Sequence, residues 1–267
     1  MIEICLVGAC GRMGKRIAAA IAGSDDAKLS GAVESGAHPE LGRDIGEAAG
    51  LAPAGVEVTD KLAEAVAGSS VVIDFSLPGS VVRTAQTCID KRVPLVTGVT
   101  GLDSGQVEVL EKAAQELAVV WAPNMSVGVN LMFKVAGEVA RVLGDDYDVE
   151  IFETHHRFKR DAPSGTAKRL AEIIAEALGR NMDEVGCWGR KGITGERDPR
   201  EIAVHSLRTG DVVGEHTAVF GTLGERFEIT HRAHSRDTFA RGSVVAARFA
   251  VSAKPGLYDM QDVLGLR

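Results

Sequence analysis

The sequence lacks a long apolar run, an excess of basic residues and closely paired cysteines. No apolar stretch approaches the ~20 residues that a helix needs to cross a bilayer, so we predict no membrane contact. The opening run 1–7 is too short for a signal peptide and contains a glutamate, which makes a cytoplasmic protein the expectation. A formal net charge of −7 argues against a nucleic-acid partner, because such proteins carry a basic footprint.

Cysteine is sparse as well. Four cysteines are scattered along the chain, at positions 5, 10, 88 and 187, and no two of them form a C-x-x-C pair. Zinc sites and redox motifs use close pairs, and disulfide frameworks use denser cysteine, so the pattern argues against both. We predict small packed thiols in a reducing compartment.

The composition that remains is that of a globular protein with one large or two modest domains, at 267 residues with 45% hydrophobic and 25% charged residues. The first half alternates β-branched runs with helical segments. Strands are predicted at Ile2–Val7, Leu29–Val33, Val71–Phe75, Pro94–Thr97 and Val119–Ala122. Helices are predicted at Met13–Ala22, Lys61–Ala67, Val81–Lys91 and Gln106–Leu117. Continuously apolar strands indicate burial on both faces, and therefore a Rossmann-like, doubly wound parallel sheet.

The second half has a different character. After a long helical pattern at Leu131–Leu143, strands separated by Gly-rich turns are predicted at Val149–Thr154, Ile202–Leu207, His216–Phe220 and Arg226–His231, with one helix at Thr166–Leu178. This pattern indicates an α+β domain with an open mixed sheet. A last helix near Thr238–Phe249 resembles the first half again. We therefore predict one domain from residues 1–126 and 236–267, and a second domain, 127–235, inserted into it.

A glycine-rich turn lies directly between the first strand and the first helix. It comprises Gly8, Ala9, Cys10, Gly11, Arg12, Met13 and Gly14. Glycines at such a turn allow close approach of the backbone to a pyrophosphate, and the helix start favours the anion. Glu34 follows the second strand, where a carboxylate can accept hydrogen bonds from ribose hydroxyls. The first domain is therefore predicted to bind a dinucleotide.

Two further turns follow the fourth and fifth strands. They comprise Gly98, Val99, Thr100 and Gly101, and Ala122, Pro123, Asn124 and Met125. Ligands of open α/β sheets bind at the carboxyl ends of the strands, so both turns are candidates for cofactor contact. Glu34 would repel a 2′-phosphate and Ser35 offers no cation to offset it, although Arg12 can partly compensate. We expect NADH to be used at least as well as NADPH.

The densest polar stretch is Glu153–Ala167. It begins as a strand, passes through a basic loop and ends at a predicted helix start, with Ser164 as the N-cap. Exposed backbone N–H groups at Gly165 and Thr166 suit carboxylates. A histidine can supply a proton near neutral pH. We predict no metal site, because neighbouring histidines on a strand point to opposite faces and no third ligand has a recognisable spacing.

This segment resembles the signature E-x-H-H-x-x-K-x-D-A-P-S-G-T-A of dihydrodipicolinate reductases. The resemblance covers nearly the whole chain. It includes the glycine turn at 8–14 and the motifs at 71–76, 98–101, 124–130, 194–197, 214–217 and 228–231. Several independent motifs in the same order are hard to produce by chance.

The resemblance implies reduction of 4-hydroxy-tetrahydrodipicolinate, a cyclic imine dicarboxylate, to tetrahydrodipicolinate with loss of water, using NADH or NADPH, on the route to diaminopimelate and lysine. It implies that His155 is the acid/base residue and Lys159 a second proton donor, and that His156, Gly165 and Thr166 bind substrate carboxylates. It also implies dinucleotide contacts from 8–13, Glu34, 98–100 and 122–125. The second domain would bind substrate and form a homotetramer.

Two other functions stay open at this point. One is a related dehydrogenase that acts on another amino acid or imine, such as an aspartate dehydrogenase, and the His155–His156 pair argues against it. The other is a protein that binds NAD(H) as a sensor without catalysis, which the presence of both His155 and Lys159 disfavours.

Overall fold

A computed structural model describes the whole chain, Met1–Arg267. The chain forms two compact units. Unit 1 consists of Met1–Val127 and Arg236–Arg267, and unit 2 of Gly128–Ser235. None of the helices combines the length and the apolar character that a bilayer crossing requires.

Unit 1 is built on a seven-stranded sheet in which every pair of neighbours is parallel. With strands numbered along the whole chain, they are β1 (Ile2–Val7), β2 (Ala27–Val33), β3 (Val58–Thr59), β4 (Val71–Asp74), β5 (Leu95–Thr97), β6 (Ala118–Trp121) and β12 (Gly256–Tyr258). Their order is β12-β6-β5-β4-β1-β2-β3. The order reverses on either side of β1, which is the topology that places ligands at the carboxyl ends of the central strands.

Helices cover both faces of this sheet. They are α1 (Arg12–Ala22), α2 (Ile45–Ala48), α3 (Leu62–Val66), α4 (Pro78–Lys91), α5 (Ser104–Ala113), α9 (Asp237–Ser252) and α10 (Met260–Val263). Successive residues of β1 enter different cores: Ile4 and Leu6 pack with α1 and α9, whereas Cys5 and Val7 pack with α4 and α5. Burial on both faces explains why the strands are continuously apolar, and the predicted Rossmann-like class is confirmed.

Unit 2 contains a five-stranded mixed sheet in the order β11-β10-β7-β9-β8. Its elements are α6 (Val127–Leu143), which starts at the boundary, a 3-10 turn (Gly144–Asp146), β7 (Asp148–His155), α7 (Gly165–Ala177), α8 (Met182–Val185), β8 (Gly186–Cys187), β9 (Ile202–Arg208), β10 (Gly214–Thr222) and β11 (Glu225–Ala233). β10 is antiparallel to β7 and β11, whereas β9 is parallel to β7 and β8.

The two faces of the unit 2 sheet differ in character. Val149, Ile151, Ala218 and Phe220 point inward and pack against α6 and α7 in one core. The residues between them point the other way, because side chains alternate along a strand. We call this second surface the outer face; it carries Phe152, His205, Leu207, Thr217 and Val219. Phe152 is 42% exposed and Leu207 47% exposed, although both are large and apolar.

Element ends differ from the predicted ones by a few residues. The largest difference is at α6, which begins at Val127 rather than Leu131, while α5 ends at Ala113 rather than Leu117. Proline at the first position of α4 fits a helix start, since its missing N–H has no partner there in any case. The strands β3, β8 and β12 were missed because two or three residues carry no periodicity.

Candidate active site

The turn after β1 has the backbone that a phosphate-binding loop needs. Gly8 has a φ of +74°, and a Cβ there would lie 2.9 Å from the carbonyl oxygen of Phe75. A Cβ on Gly14 would lie 2.1 Å from the Gly8 carbonyl oxygen and 2.4 Å from that of Ala9. Only glycine therefore lets α1 pack this closely on the turn.

The N-terminus of α1 is available to an anion. Gly11 is the N-cap and supplies no side chain to bond the first turn, and no acidic residue lies in that turn. The first amides of a helix have no partner within the helix, and the helix dipole favours negative charge beside them. The turn and the helix start together fit the pyrophosphate of a dinucleotide.

Glu34 is held at the edge of the same turn. Its carboxylate accepts hydrogen bonds from the backbone N–H of Cys10 at 2.9 Å and of Ser35 at 3.2 Å. A carboxylate fixed beside the phosphate-binding turn suits the hydroxyls of an adenosine ribose. Burial, followed by the charge of Glu34, raises the pKa of the Cys10 thiol to about 11, so this thiol stays protonated.

Phe75 connects the first turn to the turn after β5. Its carbonyl faces Gly8, and a Cβ on Gly98 would lie 2.3 Å from the Cζ atom of its ring. The ring can occupy this place only because residue 98 is glycine. Phe75 was given no role from the sequence, although the motif that contains it was recognised; contact between distant glycines has no local signal.

The other predicted cofactor residues differ in exposure. Val99, Ala122 and Met125 are buried, at 3%, 3% and 1% exposure. Val99 points into the core, and its backbone is bonded within the protein: its N–H donates to the Thr97 hydroxyl at 3.3 Å, and its carbonyl accepts from the Trp121 indole at 3.2 Å. Thr100 and Pro123 are exposed.

In unit 2, His155 is the last residue of β7 and is hydrogen-bonded to a buried carboxylate. Glu153 lies two residues earlier on the same face of the strand and is fully buried. One of its oxygens, Oε2, lies 2.5 Å from Nδ1 of His155. Burial by itself would raise the pKa of Glu153, but hydrogen bonds from His155 and Arg208 outweigh it and hold the pKa far below its ordinary value.

The same carboxylate reaches the start of α7. Its other oxygen, Oε1, accepts a hydrogen bond of 3.1 Å from the backbone N–H of Ser164. Ser164 is the N-cap of α7, as predicted, and its hydroxyl accepts from the Ala167 amide at 3.2 Å. A Cβ built on Gly165 meets nothing within 4 Å, so the space beside the first turn is open. Glu153 thus links His155 to a helix start suited to a carboxylate.

Lys159 and His156 lie on the loop between β7 and α7. The Lys159 ammonium donates to both carboxylate oxygens of Asp161, at 2.9 and 2.8 Å, and this pair lowers the pKa of Asp161. The Lys159 amide donates to the His156 carbonyl. Nδ1 of His156 is buried without a partner, which leaves it ready for a ligand.

His216, on β10, is a further residue of this region that the sequence did not single out. It is 4% exposed, its Nε2 lies 3.1 Å from the Ser164 hydroxyl, and its ring meets that of His155 edge to face at 5.3 Å. Burial, then the charge of His155, lowers the pKa of His216 to about 3, so it is neutral at working pH. It therefore supports Ser164 without adding charge. No cluster of three or more His, Cys, Asp or Glu side chains is arranged to hold a metal ion.

Comparison with protein families gives two matches that together span the chain. Residues 2–125 match the model described as dihydrodipicolinate reductase, N-terminus, and residues 128–264 match dihydrodipicolinate reductase, C-terminus. Their junction falls beside the boundary between the two structural units.

Two curated relatives are similar over their full length. The 4-hydroxy-tetrahydrodipicolinate reductase of Geotalea uraniireducens is 52% identical, and that of Syntrophus aciditrophicus is 49% identical; each comparison covers 100% of both chains. Among solved structures, a dipicolinate-bound dihydrodipicolinate reductase from Paenisporosarcina sp. TG-14 matches with a TM-score of 0.78 and 25% identity over 98% of each chain.

Proposed function

Because this chain belongs to the dihydrodipicolinate reductase family, we propose that unit 1 holds the reductant and unit 2 holds and protonates the substrate. The protein is an NAD(P)H-dependent oxidoreductase. It reduces 4-hydroxy-tetrahydrodipicolinate to tetrahydrodipicolinate with loss of water, in lysine and diaminopimelate biosynthesis.

The bound dinucleotide supplies the hydride. The turn 8–13 receives its pyrophosphate at the start of α1, because the amides of residues 8–11 donate to partners within the protein. Glu34 receives the adenosine ribose. The turns 98–100 and 122–125 are assigned to the rest of the dinucleotide, because they follow β5 and β6 at the carboxyl ends of the sheet. What supports this assignment is the glycine turn, whose φ of +74° at Gly8 and close helix contact at Gly14 match the needs of a phosphate-binding loop.

The substrate carboxylates are assigned to the start of α7 and the loop before it. Gly165 and Thr166 present the first amides of the helix, and His156 faces the ligand with its buried Nδ1. Anions at a helix N-terminus gain from both the backbone amides and the helix dipole. The open space beside Gly165 supports this assignment.

His155 and Lys159 are assigned to proton transfer. Negative charge develops on the substrate ring as it is reduced, so a nearby proton donor lowers the barrier. His155 keeps Nε2 free of other partners in this role, while Lys159 must exchange its pairing with Asp161 for the substrate. The observation that carries the assignment is the buried Glu153 that joins His155 to the start of α7.

The test is a coupled assay in which dihydrodipicolinate synthase generates the substrate freshly while NADH absorbance is followed. We expect NADH oxidation that depends on the synthase and its substrates. Oxidation with oxaloacetate and ammonia instead would favour an aspartate dehydrogenase. Dinucleotide binding without oxidation of NADH by any imine dicarboxylate would mean a sensor.

We propose a homotetramer assembled through the outer face of the unit 2 sheet. Phe152 and Leu207 remain nearly half exposed there, on a surface whose strands are otherwise well paired. Contiguous exposed apolar side chains mark contact sites. A cytoplasmic location is proposed as well, because all four cysteines are free thiols, which suits a reducing compartment.

A further inference from the structure

The carboxylate of Glu153 is saturated with hydrogen-bond donors. Oε1 accepts from the Ser164 amide at 3.1 Å and from Nη2 of Arg208 at 2.9 Å. Oε2 accepts from Nη1 of Arg208 at 2.9 Å and lies 2.5 Å from Nδ1 of His155. An arginine and a backbone amide have no acceptor to offer, so three of these four contacts must be donated to Glu153, which also has the Ser206 side chain as a hydrogen-bond partner.

The fourth partner must donate as well. A carboxylate that is fully buried and carries three donors is ionised, and an ionised carboxylate only accepts. Nδ1 of His155 therefore carries a hydrogen whatever the charge of the ring. The reactive nitrogen is then Nε2, which faces the Cα of Gly214, where an added Cβ would lie 3.1 Å away.

Arg208 also reaches the loop that carries Lys159. Its Nη2 donates to the backbone carbonyl of Asp161 at 2.6 Å, and Asp161 in turn pairs with Lys159 through its carboxylate. One guanidinium thus contacts both the carboxylate behind His155 and the loop segment of Lys159. A planar fork with five N–H donors can make these bonds at once, whereas an ammonium on a flexible stem cannot.

We propose that Glu153 and Arg208 are positioning residues. Glu153 holds His155 in the tautomer that leaves Nε2 for the substrate, and Arg208 fixes Glu153 relative to the Lys159 loop. The inference rests on the proposed function, since it takes His155 and Lys159 as the groups that transfer protons.

The substitution Glu153→Gln tests the role of Glu153. The side-chain NH2 of glutamine must face donors on one side or the other. If the NH2 group faces His155, it conflicts with one N–H of Arg208, and Nδ1 of His155 can become its acceptor. If the NH2 group faces Ser164, it conflicts with two donors, the Ser164 amide and the other N–H of Arg208. The first orientation has fewer donor–donor conflicts, so we expect the hydrogen of His155 to move to Nε2.

The tautomer of His155 is determined by solid-state NMR of protein labelled with 15N-histidine. The protein has only seven histidines, so the spectrum contains few signals. Signals of His155 are assigned by their loss in His155→Gln. In the wild type Nδ1 should bear hydrogen, and in Glu153→Gln it should not. A hydrogen-free Nδ1 in the wild type overturns the proposal, and this arm does not depend on the folding of Glu153→Gln.

A matched control lies on the same strand. Glu150 accepts from Arg190 and lies 2.7 Å from Nε2 of His205 on the outer face. Glu150→Gln should change the signals of His205 and leave those of His155 unchanged. If it shifts His155 as Glu153→Gln does, the effect is general and the proposal fails.

Kinetics complete the test. Glu153→Gln should lower kcat by about 10²- to 10⁴-fold, the range of a lost acid or base, with an unchanged KM for NADH. Arg208→Lys keeps the positive charge, so the tautomer of His155 should not change. It should still lower kcat about tenfold, because an ammonium cannot make all the hydrogen bonds of the guanidinium to Glu153 and Asp161. Native kcat in either variant removes the role given to that residue.

His155→Ala, measured alongside, separates the two levels of inference. If it loses kcat while Glu153→Gln does not, the positioning role is wrong and the proposed function stands. If His155→Ala itself keeps native kcat, the proposed acid is wrong, and the positioning role falls with it.

Discussion

At the scale of single residues, the candidate site depends on a few atoms whose surroundings leave them one role. Nδ1 of His155 is committed to Glu153, so only Nε2 is free to exchange a proton. The Lys159 ammonium is paired with Asp161, and burial, followed by the charge of His155, lowers the pKa of the neighbouring His216. Both candidate proton donors therefore belong to the segment that joins β7 to α7 in unit 2.

Alanine substitution tests this pair directly. His155→Ala and Lys159→Ala should each lower kcat by about 10²- to 10⁴-fold, because each removes a proton donor from the reduction step. The KM for NADH should change little, since both residues lie in unit 2. Steady-state kinetics with saturating dinucleotide provide the measurement, and near-native kcat in both variants would contradict the assignment.

Gly165 offers a cleaner probe of substrate binding. An added methyl group meets nothing within 4 Å in the protein, so Gly165→Ala should fold with an unchanged or slightly higher Tm. The methyl group would occupy space assigned to a substrate carboxylate. We expect KM for substrate to rise about tenfold, equivalent to ~1.4 kcal/mol, with a smaller change in kcat. An unchanged KM for substrate would mean that the substrate carboxylate does not bind beside Gly165.

Glu34 predicts the choice of dinucleotide. Its carboxylate is fixed by two backbone amides, so it cannot easily turn away from a 2′-phosphate, and Ser35 brings no cation. We expect kcat/KM for NADH to be at least that for NADPH, and Glu34→Gln to shift the ratio toward NADPH. Preference of the wild type for NADPH by more than about tenfold, ~1.4 kcal/mol, would show that Arg12 or another cation dominates.

At the scale of elements, the junction of β1 and α1 matters most for the cofactor. Gly14 touches the carbonyls of Gly8 and Ala9 so closely that any side chain must push the helix away from the turn. In unit 2 the start of α7 corresponds to the start of α1. The Ser164 cap and the Glu153 carboxylate fix the first turn of α7. Both candidate ligand-binding regions are thus helix starts: close backbone packing fixes α1, and side-chain hydrogen bonds fix α7.

Gly14→Ala should therefore affect both stability and cofactor binding. We expect a loss of about 1–3 kcal/mol in the free energy of unfolding, the usual cost of overpacking, together with weaker NADH binding. Gly79→Ala is the control, because a Cβ on that helical glycine meets nothing within 4 Å. Denaturant unfolding and NADH titration of both variants supply the comparison; equal behaviour would show that the helix can shift at no cost.

At the scale of the whole molecule, the outer face of the unit 2 sheet is the surface assigned to assembly. Sedimentation of the wild type should give four times the chain mass of 28.1 kDa. Phe152→Glu places a charge in the middle of this face and should reduce the assembly to smaller species. Leu223→Glu, at the fully exposed tip of the β10–β11 hairpin, is the control. A wild-type monomer would refute the assignment.

Much of the architecture was readable from the chain because it depends on local patterns. Continuous apolar strands alternating with amphipathic helices predicted the doubly wound sheet, and the glycine spacing after β1 predicted a tight phosphate-binding turn. The polar stretch 153–167 is recognisable as one functional segment, and the alternation of side chains along a strand puts Glu153 and His155 on the same face. These features belong to neighbouring residues, so their order along the chain determines them.

Tertiary structure alone decided which distant groups meet. Arg208 lies 55 positions after Glu153, and it reaches that carboxylate because β9 pairs with β7 in parallel register. Phe75 similarly meets Gly8 and Gly98 because three neighbouring strands end at one edge. Short strands such as β3 and β12 exist only because a longer neighbour supplies their hydrogen bonds. Contacts of this kind depend on sheet order and register, which no local pattern encodes.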